Sequence, residues 1–97
     1  MEMTEFLVRI EIALPAGLDD EEREALVAAE ARRGRELTEA GQLRRIWRIP
    51  GRHANVGLWE AADATALHAL LASLPMFVYM DIDVTALATH PLEGGEA

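Results

Sequence analysis

Residues 6–14 read Phe6-Leu7-Val8-Arg9-Ile10-Glu11-Ile12-Ala13-Leu14, and their alternation decides the fold. Phe6, Val8, Ile10, Ile12 and Leu14 fall on one side of an extended chain, with Arg9 and Glu11 on the other. A period of two is the mark of a strand with one face on a core. Pro15-Ala16-Gly17 ends that strand. Asp19-Asp20-Glu21-Glu22 then sets caps and negative charge at a helix start, where the helix dipole favours them. The helix runs to about Ala40, and Gly41 supplies its C-terminal stop.

Further along, residues 43–49 form a second strand closed by Pro50-Gly51, and residues 55–60 form a third. The short link between them makes a hairpin. Asp63 caps a second helix reaching about Leu74, with Leu67, Leu70, Leu71 and Leu74 as its apolar stripe. Pro75 follows, and residues 80–88 read as a fourth strand through Met80, Ile82 and Val84. The tail, residues 91–97, contains two Gly and is expected to fray. The order β-α-β-β-α-β predicts one α+β, ferredoxin-like domain over residues 1–97. Its four-stranded antiparallel sheet carries both helices on one face. The other face must be covered by a partner or shaped into a ligand cavity, so self-association is expected.

Composition narrows the function. A chain of 97 residues buries only about two thirds of its unfolded surface, which again favours assembly. No apolar run approaches the roughly 20 residues of a membrane helix, and the acidic N-terminus lacks the order of a signal peptide. A cytoplasmic location is expected. Zero Cys removes disulfides, thiolate metal sites and cysteine nucleophiles. The net charge of −8 argues against nucleic acid as a partner. The chain has no Lys, which leaves guanidinium as its strong cation. Four of its nine arginines crowd into residues 44–52: Arg44, Arg45, Arg48 and Arg52. Such clustering in an acidic protein marks either an anion site or a solvated strand edge.

Among the acids, Glu30 stands apart. At about 100° per residue, Leu26, Glu30, Arg33 and Leu37 share one narrow stripe of the first helix. A carboxylate within an apolar stripe faces the sheet, where burial raises its pKa toward the range of a general base. The competing reading is an ion pair with Arg33 or with a sheet arginine. Residues 43–55 gather Trp47, Arg48, Arg52, His53 and the only Asn, Asn55. An aromatic wall, cations and a His on one hairpin suit a small anionic organic ligand. Tyr79 is a candidate for lining a cavity or packing an interface. His53, His68 and His90 lack any metal-ligand spacing, so no metal is expected.

Three segments together resemble muconolactone Δ-isomerase: EFLVRIEIALP at the start, LRRIWRIPGRHAN in the middle, and LHALLASLPMFVYMDIDVTALATHP near the end. The resemblance spans residues 5–91, and its most specific parts are residues 43–55 and 73–81, closing in Thr89-His90-Pro91. It implies a cofactor-free isomerase of aromatic catabolism, in the β-ketoadipate route, that moves the ring double bond of a small anionic lactone. It also implies a homo-oligomer, with a decamer as the form known in the family. The family's helix-one glutamate aligns on Glu30, its Trp-Arg pair on Trp47 and Arg48, and its hairpin asparagine on Asn55. Two positions depart: the family's phenol beside the hairpin turn is His53, preceded by Arg52, and its small polar residue after Asn55 is Gly57.

The expected chemistry makes Glu30 the single base-then-acid. Arg48 or Arg44 binds the substrate carboxylate, and His53 and Asn55 donate to the developing oxyanion. Rival readings are an isomerase, cyclase or dehalogenase for another enolisable carbonyl compound, and a cofactor-free or haem oxygenase of the dimeric α+β barrel type. The haem version requires His53 or His68 as ligand. A non-catalytic ligand-binding oligomer is the rival from outside the enzymes.

Overall fold

A computed structural model describes residues 2–93. Its elements are β1 (Thr4–Ile12), α1 (Asp20–Glu39), β2 (Leu43–Arg48), β3 (Ala54–Ala61), α2 (Ala64–Ala72) and β4 (Met80–Leu87), with a 3₁₀ turn at Phe77–Tyr79. The sheet order is β2-β3-β1-β4, and every neighbouring pair is antiparallel. The α+β order and topology are those expected from the pattern of residues. Residues 94–97 lie outside the described residues, so the expected tail is represented only by a turn at residues 91–93.

The alternation of β1 works as its pattern requires. Phe6, Val8 and Ile10 are buried, and they meet Trp59, Gly57 and Asn55 across β3. Leu37, Leu67 and Leu71 close over them from the helices, joined by Leu74 just past the end of α2. Sequence-coded stops hold those helices in place. Asp19 and Glu22 form a reciprocal capping box at the start of α1, with the Glu22 N–H donating to Asp19 Oδ1 at 2.8 Å. At its end, the Gln42 N–H reaches Leu37 O (3.0 Å) and the Gly41 N–H reaches Thr38 O (3.1 Å). This is a Schellman motif, and Gly41 provides the φ of +79° that it needs. In α2, Asp63 accepts from the Ala66 N–H at 2.8 Å. The helix stops at Ala72, two residues short of the expected end. The Ser73 hydroxyl donates to Leu70 O at 2.6 Å there, and Pro75 lies just ahead.

The β2–β3 hairpin fixes which arginines face the helices. Its turn, Ile49-Pro50-Gly51-Arg52, has Gly51 at φ +78° and the Arg52 N–H on Ile49 O at 3.3 Å. Pro followed by positive-φ Gly is the type II pattern. A bulge between Leu43 and Arg45 shifts the register. Leu43 pairs with Trp59 and Ile46 with Gly57, so both face the helices despite an odd spacing. The extra residue of a bulge absorbs that mismatch. Arg48 then pairs with Asn55 on the helix side, and Trp47 pairs with Val56 on the open side.

Coverage is incomplete on two sides. On the open face, Leu7 and Leu87 are exposed, and so is Trp47 at 43%. The helices pack over β2 and β3, leaving Val84 of β4 47% exposed although it faces the helix side. The radius of gyration is 15.1 Å, against about 12.5 Å for a compact chain of this length.

Gly57 is a packing requirement. A Cβ there would lie 2.8 Å from Trp59 Nε1 and 3.2 Å from Leu43 Cδ1, and Trp59 is only 2% exposed. Gly57→Ala is therefore expected to destabilise the fold by ~1–3 kcal/mol, the scale of an overpacked core. Denaturant unfolding checks this; a variant as stable as the parent would show that the indole shifts freely.

Candidate active site

A cleft of about 740 Å³ opens at the hairpin end of the sheet, between α1 and the β2–β3 wall. Arg23 and Val27 line it from α1, Ile46 and Arg48 from β2, and His53 and Asn55 from the hairpin. Residues 12–14 and Met76 complete its wall. The backbone is braced around it: the Ile12 N–H donates to His53 O at 2.8 Å and the Ala13 N–H to Tyr79 O at 2.9 Å. Thus the end of β1 is tied to both flanking segments, and the cleft has a fixed floor.

Glu30 adjoins this space. Val27, one turn earlier on α1, lines the cleft, and so does Met76, whose N–H donates to Glu30 Oε1 at 2.8 Å. Burial raises the Glu30 pKa, and the Met76 hydrogen bond offsets part of that rise. The ion-pair reading of Glu30 does not hold. Arg33 instead donates to Ser73 Oγ at 3.0 Å and pairs with Glu36 at 3.1 Å. Among the described residues, Glu30 has no salt-bridge partner. It is a half-buried carboxylate held by one neutral donor.

Asn55 carries the second unusual group. Its Oδ1 is buried with no hydrogen-bond partner. Leaving such an atom unsatisfied costs about 1–3 kcal/mol, and Trp59 Nε1 is buried in the same state. Arg48, its cross-strand neighbour, forms no ion pair among the described residues and presents its charge to the same cleft. The imidazole of His53 is exposed at the rim.

Other candidates from the sequence lie elsewhere. Arg44 projects from the bulge and pairs with Glu60 at 2.6 Å. Arg52 pairs with Glu11 at 3.2 Å, and this contact holds the Glu11 carboxyl below its usual range. Neither lines the cleft. Trp47 borders it, but its register turns the indole to the open face, where the Arg45 guanidinium lies 5.0 Å from the ring centroid. Tyr79 sits in the 3₁₀ turn outside the lining. His68, weighed as a haem ligand, packs edge-on against Phe77 at 6.0 Å between centroids. No group of three or more metal-binding side chains occurs among the described residues.

The sequence reading passed over Arg23. It lies seven residues before Glu30, only about 20° off the same helical face. Extending the stripe backwards from Leu26 by one turn would have found it. Gly57 also acquires a reason: with Trp59 filling the space beside it, a side chain of any polarity is crowded there.

Two cations, an imidazole and an amide around an apolar floor, with the unpaired Glu30 carboxylate beside the lining, suit proton transfer on a small anion. Comparison with known proteins gives the same direction. The family model described as muconolactone delta-isomerase matches residues 4–93. A muconolactone delta-isomerase from Pseudomonas aeruginosa is 38% identical over 86 residues, covering 89% of this chain and 90% of that protein. One from Rhodococcus opacus is 36% identical over 88 residues, covering 91% and 95%. A crystal structure of muconolactone isomerase superposes with a TM-score of 0.83 at 37% identity, covering 90% of this chain and 91% of that one. The chain belongs to the muconolactone delta-isomerase family.

Proposed function

We propose that this protein is a cytoplasmic isomerase that moves the ring double bond of muconolactone, or of a similar carboxylated lactone, with Glu30 transferring the proton. The observation that carries the reading is the state of Glu30: half-buried, unpaired, and fixed beside the cleft by the Met76 N–H. Glu30 takes the proton from the γ-carbon, and the electron pair moves through the old double bond onto the lactone carbonyl oxygen. Collapse of that dienolate returns the electrons to the α-carbon, which takes the proton back from Glu30. One double bond has moved and no atom is gained or lost.

The anionic intermediate needs donors. Asn55 and His53 supply them, Asn55 through its side-chain NH₂. Arg48 holds the substrate carboxylate in place of Arg44, which Glu60 occupies. Each step uses side chains of this chain, so the proposal includes no cofactor. Arg48→Ala should weaken binding of a carboxylated lactone by ~1.5–3 kcal/mol, the scale of a charge-assisted hydrogen bond, with the fold intact. Unchanged affinity would make Arg48 structural.

The working form is a homo-oligomer larger than a dimer. The exposed Leu7, Leu87 and Trp47 on one face and Val84 on the other leave two separate apolar surfaces to cover. Light scattering of the purified protein should report a particle of more than two 10.7 kDa chains. A monomer or dimer at micromolar concentration would overturn this.

Glu30→Gln separates catalysis from stability. Turnover should fall by ~10²-fold or more, as loss of a general base requires, while ligand binding persists. The folded state holds the Glu30 proton more tightly than the unfolded chain does. Its stabilising contribution is therefore complete below the ordinary glutamate value of 4.5 and lost as pH rises through the folded pKa. At neutral pH the variant should then be more stable than the parent, and the gain should vanish in acid. Thermal unfolding across pH measures it; a variant destabilised at neutral pH with turnover retained would identify Glu30 as a structural group.

A further inference from the structure

The cleft has a direction. Arg23, Val27 and Glu30 stand at i, i+4 and i+7 on one face of α1. At about 1.5 Å of rise per residue, Arg23 precedes Glu30 by roughly 10 Å along the helix axis. Arg23 is therefore at the hairpin end, where Arg48 and His53 line the opposite wall. Val27 and Ile46 form the apolar stretch between that end and Glu30.

Charge is distributed unevenly as well. The lining contains Arg23 and Arg48 but no Asp or Glu, in a chain with a net charge of −8. Arg9, Arg33, Arg44 and Arg52 each pair with a glutamate; the other five arginines have no acidic partner among the described residues, and of those five Arg23 and Arg48 are the two that line the cleft. Two guanidinium groups on opposite walls of one cleft, with no counter-ion, favour an anion between them. A carboxylate has two oxygens and accepts from two such donors at once.

We propose that Arg23 is the second jaw of a carboxylate clamp with Arg48, and that this clamp sets both the orientation and the anion requirement of the substrate. This rests on the reading of Arg48 and Glu30 above. The acid arm of the lactone lies at the hairpin end, its ring crosses Val27 and Ile46, and the reacting carbon faces Glu30. A lactone of the same size without the acid arm lacks the anchor and slides along the apolar stretch.

The test uses a saturated γ-lactone bearing an acetate arm, which has no double bond to move, and its methyl ester. Calorimetric titration of the full-length protein should show that the acid binds more tightly than the ester. Arg23→Met should lower acid affinity about tenfold, the loss of one charge-assisted contact at an open site, and leave ester affinity unchanged. Arg23→Lys should recover part of the preference. With a reactive lactone acid, Arg23→Met should raise KM while kcat holds. Arg23 is exposed and Met is a good helix former, so folding should survive; Arg23→Gln is the second variant if it does not. An Arg23→Met protein that keeps the parental acid-over-ester preference overturns the clamp, and leaves Arg48 as the sole anchor if Arg48→Ala abolishes that preference. A parent protein that binds acid and ester equally overturns the clamp together with the anion site.

Discussion

The hydrogen bond from the Met76 N–H to Glu30 is the contact on which the site depends. It joins the third turn of α1 to the segment that leads from α2 into β4, and Met76 is also part of the cleft wall. A carboxylate brought this far out of water must find donors or take up a proton. Here it finds one backbone N–H, enough to orient it and too little to cancel the desolvation that raises its pKa. A guanidinium in that position would have done the reverse. Arg33 is one turn away, yet it is drawn to Ser73 and Glu36. The Arg33–Ser73 contact reinforces the same α1-to-α2 junction and keeps a cation off Glu30.

The bulge in β2 performs an analogous separation on the opposite wall. Without it, the strict alternation of a strand would place Leu43 and Ile46 on different faces. With it, both turn toward the helices, Arg45 and Trp47 go to the open face, and Arg48 comes round to the cleft. Arg44 and Arg52 meet Glu60 and Glu11. A dense run of positive charge is thus divided into surface pairs and one guanidinium aimed at the ligand space. That division matters energetically, because exposed pairs contribute little to stability, whereas an unpaired cation in a cleft keeps its full attraction for an anion.

Most of the fold was legible because local chemistry and tertiary packing agree. The alternation of residues 6–14, the Asp19–Glu22 box, the Gly41 stop and the Asp63 cap each specify their element without distant help. Glu30 was legible for the same reason, since helical period alone turns it inward. The arginines were not. Their partners Glu60 and Glu11 lie 16 and 41 residues away, and composition says nothing of such pairings. Trp47 depended on strand register, and a one-residue shift moves a ring to the other side of the sheet. Tyr79 depended on a 3₁₀ turn that Pro75 and the following residues do not announce as a break from the strand.

The parts left uncovered are also those that matter for chemistry. In the proposed reaction, proton return from Glu30 competes with exchange into water, and a dry cleft favours the transferred proton. The isolated chain supplies only part of that dryness: Glu30 is half-buried, His53 and Arg48 are exposed, and Asn55 Oδ1 is sealed from solvent without a partner. In the proposed binding mode, a flat lactone lying over Val27 and Ile46 covers the apolar floor and brings its carbonyl to the amide of Asn55. On that proposal the binding of the acid arm is linked to the drying of Glu30, because a carboxylate seated at the hairpin end would place the ring over the apolar stretch beside it. Recognition at one end of the cleft and a raised proton affinity at the other follow from the same polarity along α1.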